Sequence, residues 1–223
     1  NAQKKYNDAQ KSERQASAGG QRQQVADEDG QMVTITRQQQ QQAVPMGANS
    51  QIYEDVITKC KHVIARYPDS KHVDDAMLLI GKSLFALHRY DESVSALDSL
   101  THRYPKTNLK EEAEFLKGKS LAKAEHWDAA SAALKSFVDA YRGSDYRPEA
   151  FYLLCTSLMQ LGLADNAVAE LQRLEKDHGR SEYRYRAQTD MAAILVEKGL
   201  YKESLSVYER LDRSRIPKEM RFD

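Results

Sequence analysis

The chain has 223 residues, and its 33 lysines and arginines balance 33 aspartates and glutamates, so its formal net charge is zero. This balance argues against a nucleic-acid-binding protein, which normally carries a basic excess to displace counterions from phosphates. No stretch of the sequence approaches the roughly 20 consecutive apolar residues that a membrane-spanning helix needs.

Residues 1–50 differ in composition from the rest of the chain. They hold twelve glutamines, five of them consecutive at 38–42, and few apolar residues. So few apolar side chains cannot offset the entropy lost on ordering the backbone, about 1–2 kcal/mol per residue. We therefore expect a Gln-rich extended tail or linker, in which residues 2–18 form a short helix only when a partner stabilises it. That partner is either the chain's own folded part or another chain.

Residues 51–223 are predicted to form a domain of repeated helix pairs. Equivalent residues recur every 37 positions without a gap between residues 51 and 213. Apolar residues at steps of three and four predict a first helix over 76–87 and a second over 94–100. An acidic residue, such as Asp91, starts the second helix, and Pro68 and Pro105 follow its end. Three sets of equivalent residues, each spaced by 37 positions, show the period: Tyr67, Tyr104, Tyr141 and His178; Gly81, Gly118, Cys155 and Ala192; Leu97, Leu134, Leu171 and Tyr208.

The small residues of the second set, which includes Gly81 and Gly118, let paired helices approach closely. We expect Gly118→Leu to cost roughly 1–3 kcal/mol or more through overpacking.

These positions resemble the tetratricopeptide repeat (TPR) family. The best copy of the family pattern consists of Met77, Ile80-Gly81, Leu84, Tyr90, Ser93, Leu97, Leu100 and Pro105. Later copies depart from it, since Arg142 replaces the proline and Cys155 and Ala192 replace the glycine. The resemblance implies an all-α fold, a TPR α-solenoid of antiparallel helix pairs with about four and a half repeats.

The 37-residue spacing and the ending Arg-Tyr-Pro-x-Ser/Thr, at 66–70 and 103–107, are similar to repeats of bacterial envelope proteins. The similar families are the BamD outer-membrane lipoproteins and the periplasmic CpoB (YbgF) proteins. This resemblance implies a non-catalytic scaffold in the periplasm, associated with the outer membrane through a lipidated cysteine upstream of Asn1. The two cysteines of the chain, Cys60 and Cys155, leave the compartment undecided.

The family's ligand groove is lined by its first helices, and its positions can be carried over to this chain. They predict a groove with aromatic side chains beside lysines, suited to an extended peptide or a partner helix. The alternative is that the aromatics pack between repeats and the lysines are solvated. The groove residues are Leu78, Lys82, Phe85, Phe115, Lys119, Lys123, Tyr152 and Met159.

The last helix, about residues 201–213, is predicted to lack a following helix over part of its apolar face. Solenoids normally end in a polar cap, so we expect this end to dock a partner or to be covered by further sequence. The docking residues would be Leu205, Tyr208 and Leu211, with Arg215 on a basic rim.

The sequence offers no candidate catalytic, metal-binding or cofactor-binding site. The six histidines are scattered, and no HExxH, GxSxG or glycine-rich phosphate loop is present. Acidic residues such as Asp74 and Asp75 are better explained by the dipole at a helix start. We expect an interaction scaffold that organises a membrane-associated envelope complex, with no enzyme activity and no cofactor. The alternative is a periplasmic TPR receptor, chaperone-like, that captures extended peptides or exported chains.

Overall fold

The computed structural model describes residues 2–7, 10–11, 24–26, 32–34, 49–179 and 181–209. The helices from residue 49 onward confirm the predicted all-α TPR fold. They are α1 (Asn49–Arg66), α2 (Val73–Ala86), α3 (Tyr90–Arg103), α4 (Lys110–Lys123), α5 (Trp127–Ala140), α6 (Arg147–Gln160), α7 (Ala164–Asp177), α8 (Glu182–Glu197) and α9 (Tyr201–Glu209).

The described residues form two compact units, one within residues 1–88 and the other within residues 89–223. The compositional change at residue 50 therefore lies inside the first unit. In that unit α1 packs on α2, and residues 2–7 and 10–11 are helical. Tyr6 is 5% exposed and meets Tyr53 of α1 edge to face, with 5.7 Å between ring centroids. Lys5 adds an ion pair to Asp55 at 3.6 Å. The chain's own α1 thus supplies the partner that the N-terminal helix needs.

A β-hairpin lies between this N-terminal helix and α1. Strand β1 (Gln24–Ala26) pairs antiparallel with β2 (Met32–Thr34), and Val25 faces Val33 across the ladder. This hairpin was not predicted from the sequence. The signal for it was present, since Asp29-Gly30 between two short apolar runs is a common hairpin turn sequence. Residues 8–9 and 12–18 of the predicted helix and most of the predicted tail lie outside the described residues.

The second unit is a stack of helices in which chain neighbours pack on each other. Each of α3 to α6 contacts the next helix along the chain. In addition, α6 contacts α8, and α8 contacts α9. One continuous apolar core runs through this stack and includes Leu134, Phe137, Phe151, Leu171 and Leu195. The central helices of the stack are therefore buried on more than one side, which is how a TPR solenoid stabilises helices that are too short to persist alone.

The turn inside each helix pair requires a left-handed residue. His88, Glu125, Gly162 and Gly199 have φ values of 59°, 61°, 78° and 75°. Glycine adopts this conformation at no steric cost, whereas His88 and Glu125 carry a β-carbon that disfavours it. The first two turns therefore contain strain that the last two avoid.

The predicted acidic residues at the starts of second helices lie in the first helical turn. Asp91, Asp128 and Asp165 occupy the second position of α3, α5 and α7. None of these helices has a side-chain cap hydrogen bond at its N-cap residue. The carboxylates therefore stabilise these helices through their charge near the positive end of the helix dipole.

Candidate interaction surfaces

The groove residues predicted in the first unit lie on α2 with different exposures. Leu78 is buried, whereas Lys82 and Phe85 are partly exposed. Only the latter two side chains therefore offer surface to a ligand.

The groove residues predicted in the second unit divide into core and surface. Phe115 and Met159 are buried, and Phe115 stacks on Tyr146 with ring centroids 4.7 Å apart. Lys123 of α4 is exposed. The Lys119 Nζ forms an ion pair with Glu149 Oε1 of α6 at 2.8 Å. Phe115 and Met159 thus stabilise the helix stack, and their side chains are not available to a ligand.

Tyr152 belongs to a network of tyrosines and charged residues on α6 and α8. Its hydroxyl donates to Asp190 at 2.8 Å, and the Tyr183 hydroxyl donates to Glu149 at 3.1 Å. The exposed Arg186 guanidinium lies over the Tyr152 ring at 5.1 Å and the Tyr183 ring at 5.9 Å. Burial and the hydrogen bond to Asp190 raise the pKa of Tyr152 to about 12. Burial, followed by the charge of Glu149, raises the pKa of Tyr183 to about 12.

Both tyrosines therefore stay neutral donors at physiological pH, and their rings hold Arg186 in place. Tyr183, Arg186 and Asp190 were not predicted from the sequence, because none of the groove positions carried over from the family falls on them. The four-residue spacing of Arg186 and Asp190, together with the alternating Tyr-Arg-Tyr-Arg at 183–186, was the available signal.

The last described helix, α9, has one buried and one exposed side. Ser204 and Val207 are buried, whereas Tyr201, Leu205 and Tyr208 are 68%, 59% and 47% exposed. We call these three residues the terminal face. They are spaced i, i+4 and i+7, so they lie on one side of the helix. Leu211 and Arg215, the other predicted docking residues, lie outside the described residues.

Comparison of the second helices shows how unusual this exposure is. The eighth residue of α3, α5 and α7 is Leu97, Leu134 and Leu171, and each of these leucines is 0% exposed. The eighth residue of α9 is Tyr208, which is nearly half exposed. The eighth position is therefore fully covered in α3, α5 and α7 and about half exposed in α9.

The family assignment follows from a profile comparison. The profile of the YfiO family, described as outer membrane lipoproteins, matches residues 37–197. The chain belongs to the YfiO outer membrane lipoprotein family. No curated protein matches this YfiO-family chain.

Solved structures share the fold of this YfiO-family chain. A crystal structure of MamA has a TM-score of 0.57 at 15% identity, over 79% of this chain and 93% of that chain. MamA 41-end from Desulfovibrio magneticus RS-1 has a TM-score of 0.54 at 18% identity, over 76% and 98%. A Podosopora anserina kinesin light chain with nearly identical TPR-like repeats has a TM-score of 0.58 at 15% identity, over 83% and 90%. At these identities the likeness supports the TPR fold alone.

The described part of this YfiO-family chain contains no group of three or more His, Cys, Asp or Glu residues that could hold a metal ion. Burial raises the pKa of the Cys60 thiol to about 11 and also raises that of Cys155. Both cysteines therefore stay protonated and behave as core residues. Within the described ranges, we find no helix with the length and hydropathy needed to cross a membrane.

A cavity of about 500 Å³ opens beside α5, α6 and α7, and Lys135, Leu154 and Glu170 help to line it. Two of its charged residues are paired, because Lys135 binds Glu170; Glu170 also binds Arg173, which in turn binds Asp139. These ion pairs tie α5 to α7, so we interpret this cavity as part of the helix packing.

Proposed function

We propose that the chain is a non-catalytic interaction scaffold of the bacterial cell envelope and a lipoprotein subunit of a membrane-associated complex. Membership of an outer membrane lipoprotein family supports a location in the bacterial cell envelope. The TPR fold supports a role in binding other proteins. The exposed terminal face is the observation that carries the proposal, because large apolar side chains clustered on one side of a helix mark interaction sites.

The test introduces a negative charge into the terminal face in the native bacterium. Leu205→Glu and Tyr208→Glu each place a carboxylate where an apolar contact would form, at positions exposed enough to tolerate it. Ser206→Glu is the matched control, since Ser206 is exposed on the same helix outside this face. We expect the tagged protein and the control to co-purify with a stoichiometric complex after detergent extraction, and both test variants to lose it.

An intact complex in both test variants would remove the terminal face from the proposal. Localisation is tested separately by fractionating the membranes and labelling cells with radioactive palmitate. We expect the protein to incorporate radioactive palmitate and to be recovered in the outer membrane fraction. Recovery of unlabelled protein in the cytoplasm would contradict the proposed localisation.

The second candidate is a receptor that captures extended peptides, and Arg186 is the observation that favours it. An exposed guanidinium already held over two tyrosine rings binds a carboxylate with little loss of side-chain entropy. We expect Arg186→Glu to abolish peptide capture if the chain is such a receptor, and to leave the complex intact if it is a scaffold. Fluorescence polarisation with acidic, aromatic peptides measures the first effect, and co-purification measures the second.

A further inference from the structure

We infer that Arg186 of α8 binds the carboxylate of an acidic side chain, and that Tyr152 keeps this site accessible by engaging Asp190. The inference rests on the peptide-receptor function proposed above and names the group of the ligand that such a receptor binds. That group is the side chain of an aspartate or glutamate within an extended segment of another protein.

The Arg186 guanidinium has unused hydrogen-bonding capacity. It is exposed on α8 and lies over the Tyr152 ring at 5.1 Å and the Tyr183 ring at 5.9 Å. Among the residues that the structure describes, no hydrogen bond or ion pair engages it. A guanidinium carries five N–H donors in a fork that matches the two oxygens of a carboxylate. The two rings already restrict the side chain, so less freedom is lost when an acidic group binds.

The nearby carboxylates of the chain itself are engaged by other donors. Glu149 of α6 forms an ion pair with Lys119 at 2.8 Å. Asp190 of α8 accepts a hydrogen bond from the Tyr152 hydroxyl at 2.8 Å. These two acidic side chains therefore do not neutralise Arg186, and its charge is available to a carboxylate from another protein.

The partner of Asp190 explains why Arg186 stays accessible. Asp190 lies four residues after Arg186 and Glu182 lies four residues before it, and opposite charges at this spacing normally pair on a helix surface. Neither forms an ion pair with Arg186 in the described part of the chain. For Asp190 the reason is the hydrogen bond from Tyr152. Tyr152 therefore acts on the site through Asp190 and is a positioning residue.

The charge at this place in the repeat changes sign within the second unit. The third residues of α4 and α6 are Glu112 and Glu149. The residue 37 positions after Glu149 is Arg186. Helix α8 therefore presents a positive charge where the two first helices before it carry a negative one, and this favours an acidic ligand at α8 over a basic one.

An acidic side chain fits this site better than the carboxylate at a chain end. Exposed residues continue along α8 on both sides of Arg186, with Glu182 before it and Ala193 and Val196 after it. A bound segment can therefore run past Arg186 in both directions. Val196, which is 46% exposed, lies about 15 Å further along the helix. It offers an apolar contact to another residue of the same segment.

The first experiment selects ligands for the full-length chain from a phage library of random peptides. The peptides are fused to the coat protein through their C-termini, so they carry no free α-carboxylate. We expect the wild-type chain to enrich peptides that share an Asp or Glu, and Arg186→Gln not to enrich them. Enrichment of peptides without a shared acidic residue would retain the receptor function and reject this inference. Absence of any enrichment by the wild-type chain would reject both.

A double-mutant cycle then locates the contact of one enriched peptide, synthesised with an amidated C-terminus. Replacing its acidic residue by the corresponding amide should weaken binding roughly tenfold in fluorescence polarisation, and Arg186→Gln should cause a similar loss. Combining the two changes should add little further loss, because both remove the same interaction. Fully additive losses would place the acidic group elsewhere and overturn the inference. Lys176→Gln, which removes an exposed positive charge from α7, is the matched control and should leave binding unchanged.

The role of Tyr152 is tested by a loss and its rescue. Tyr152→Phe keeps the ring and removes the hydroxyl, so Asp190 becomes free to pair with Arg186. We expect about threefold weaker peptide binding. Adding Asp190→Asn should restore the wild-type affinity, which a merely structural role of the hydroxyl would not produce. Unchanged binding in Tyr152→Phe, or no rescue by Asp190→Asn, would refute the positioning role. Circular dichroism verifies that each variant is folded.

Two further outcomes would overturn the assignment of the ligand. Binding only of peptides that have a free C-terminus would make a chain end the ligand. A large gain in peptide affinity on deletion of residues 210–223 would make the chain's own segment the occupant of the Arg186 site.

Discussion

Gly118 of α4 lies directly against the Leu134 side chain of α5. A β-carbon added at Gly118 would lie 2.8 Å from Leu134 Cδ2 and 3.0 Å from its Cγ. Real β-carbons do not approach other carbons so closely, so the Leu134 side chain would have to shift to admit one, whereas its backbone nitrogen, 3.7 Å away, would not. The small residue of the repeat pattern therefore sets how closely the helices of this pair pack.

We predict that Gly118→Ala lowers the free energy of unfolding by about 1–3 kcal/mol, because the new methyl group overpacks the contact with Leu134. Urea unfolding followed by circular dichroism measures the effect. Gly143→Ala is the matched control, since a β-carbon there meets nothing within 4 Å. Adding Leu134→Val should restore part of the loss, and a Gly118→Ala variant as stable as wild type would show that the helices can separate without cost.

The helix-pair turns give a prediction of opposite sign. Glu125 has a φ of 61°, where a β-carbon is strained. We expect Glu125→Gly to raise the free energy of unfolding by about 0.5–1 kcal/mol, because the relief of strain exceeds the added freedom of the unfolded chain. Gly162→Ala, at a φ of 78°, should lower it by a similar amount. Thermal unfolding of both variants tests the two predictions. A Glu125→Gly variant less stable than wild type would contradict the assignment of strain to this turn.

His178 makes the stability of the second unit depend on pH. Its Nε2 lies 3.2 Å from an Arg147 guanidinium nitrogen, which also binds Asp177 at 2.9 Å. Burial and then the Arg147 charge lower the pKa of His178, and the opposing charge of Asp177 does not compensate. The folded state therefore binds a proton less readily than the unfolded state, whose His pKa is about 6.5.

It follows that this contribution is complete well above pH 6.5 and that stability falls as the pH drops below that value. Urea midpoints at pH 7.5 and pH 5.5 measure the change. We expect His178→Gln to reduce the difference between the two midpoints relative to wild type, and the exposed His62→Gln control to leave it unchanged. An identical pH dependence in His178→Gln would contradict the prediction.

Tyr6 is expected to hold the N-terminal helix on α1. Its ring is buried against Tyr53, and the Lys5–Asp55 pair is partly exposed. We predict that Tyr6→Ala weakens the docking by about 2 kcal/mol. Limited proteolysis should then remove the first residues of the variant faster. The exposed Lys4→Ala is the control, and equal cleavage rates in Tyr6→Ala and wild type would show that other contacts hold the helix.

Most of the helices could be predicted from the sequence, because the same local signals recur in each repeat. Apolar spacing located α2 and α3, and prolines 68 and 105 marked the ends of second helices. Pairing of the N-terminal helix with α1 could not be derived, since Tyr6 and Tyr53 are separated by many residues of different composition. The hairpin was missed because its strands have only three residues each.

The sequence by itself determined that the chain is a stack of helix pairs, because a pattern repeated four times encodes the same packing each time. Only the tertiary structure decided which side chains are buried in the core and which are exposed at the surface. A helix in a stack is buried on two sides, and the sequence shows both sides as apolar. Phe115 and Met159 therefore looked like groove residues and are core residues, whereas Tyr208 occupies a core position and is exposed. The difference arises from which neighbouring helices are present, and that is a property of the assembled fold.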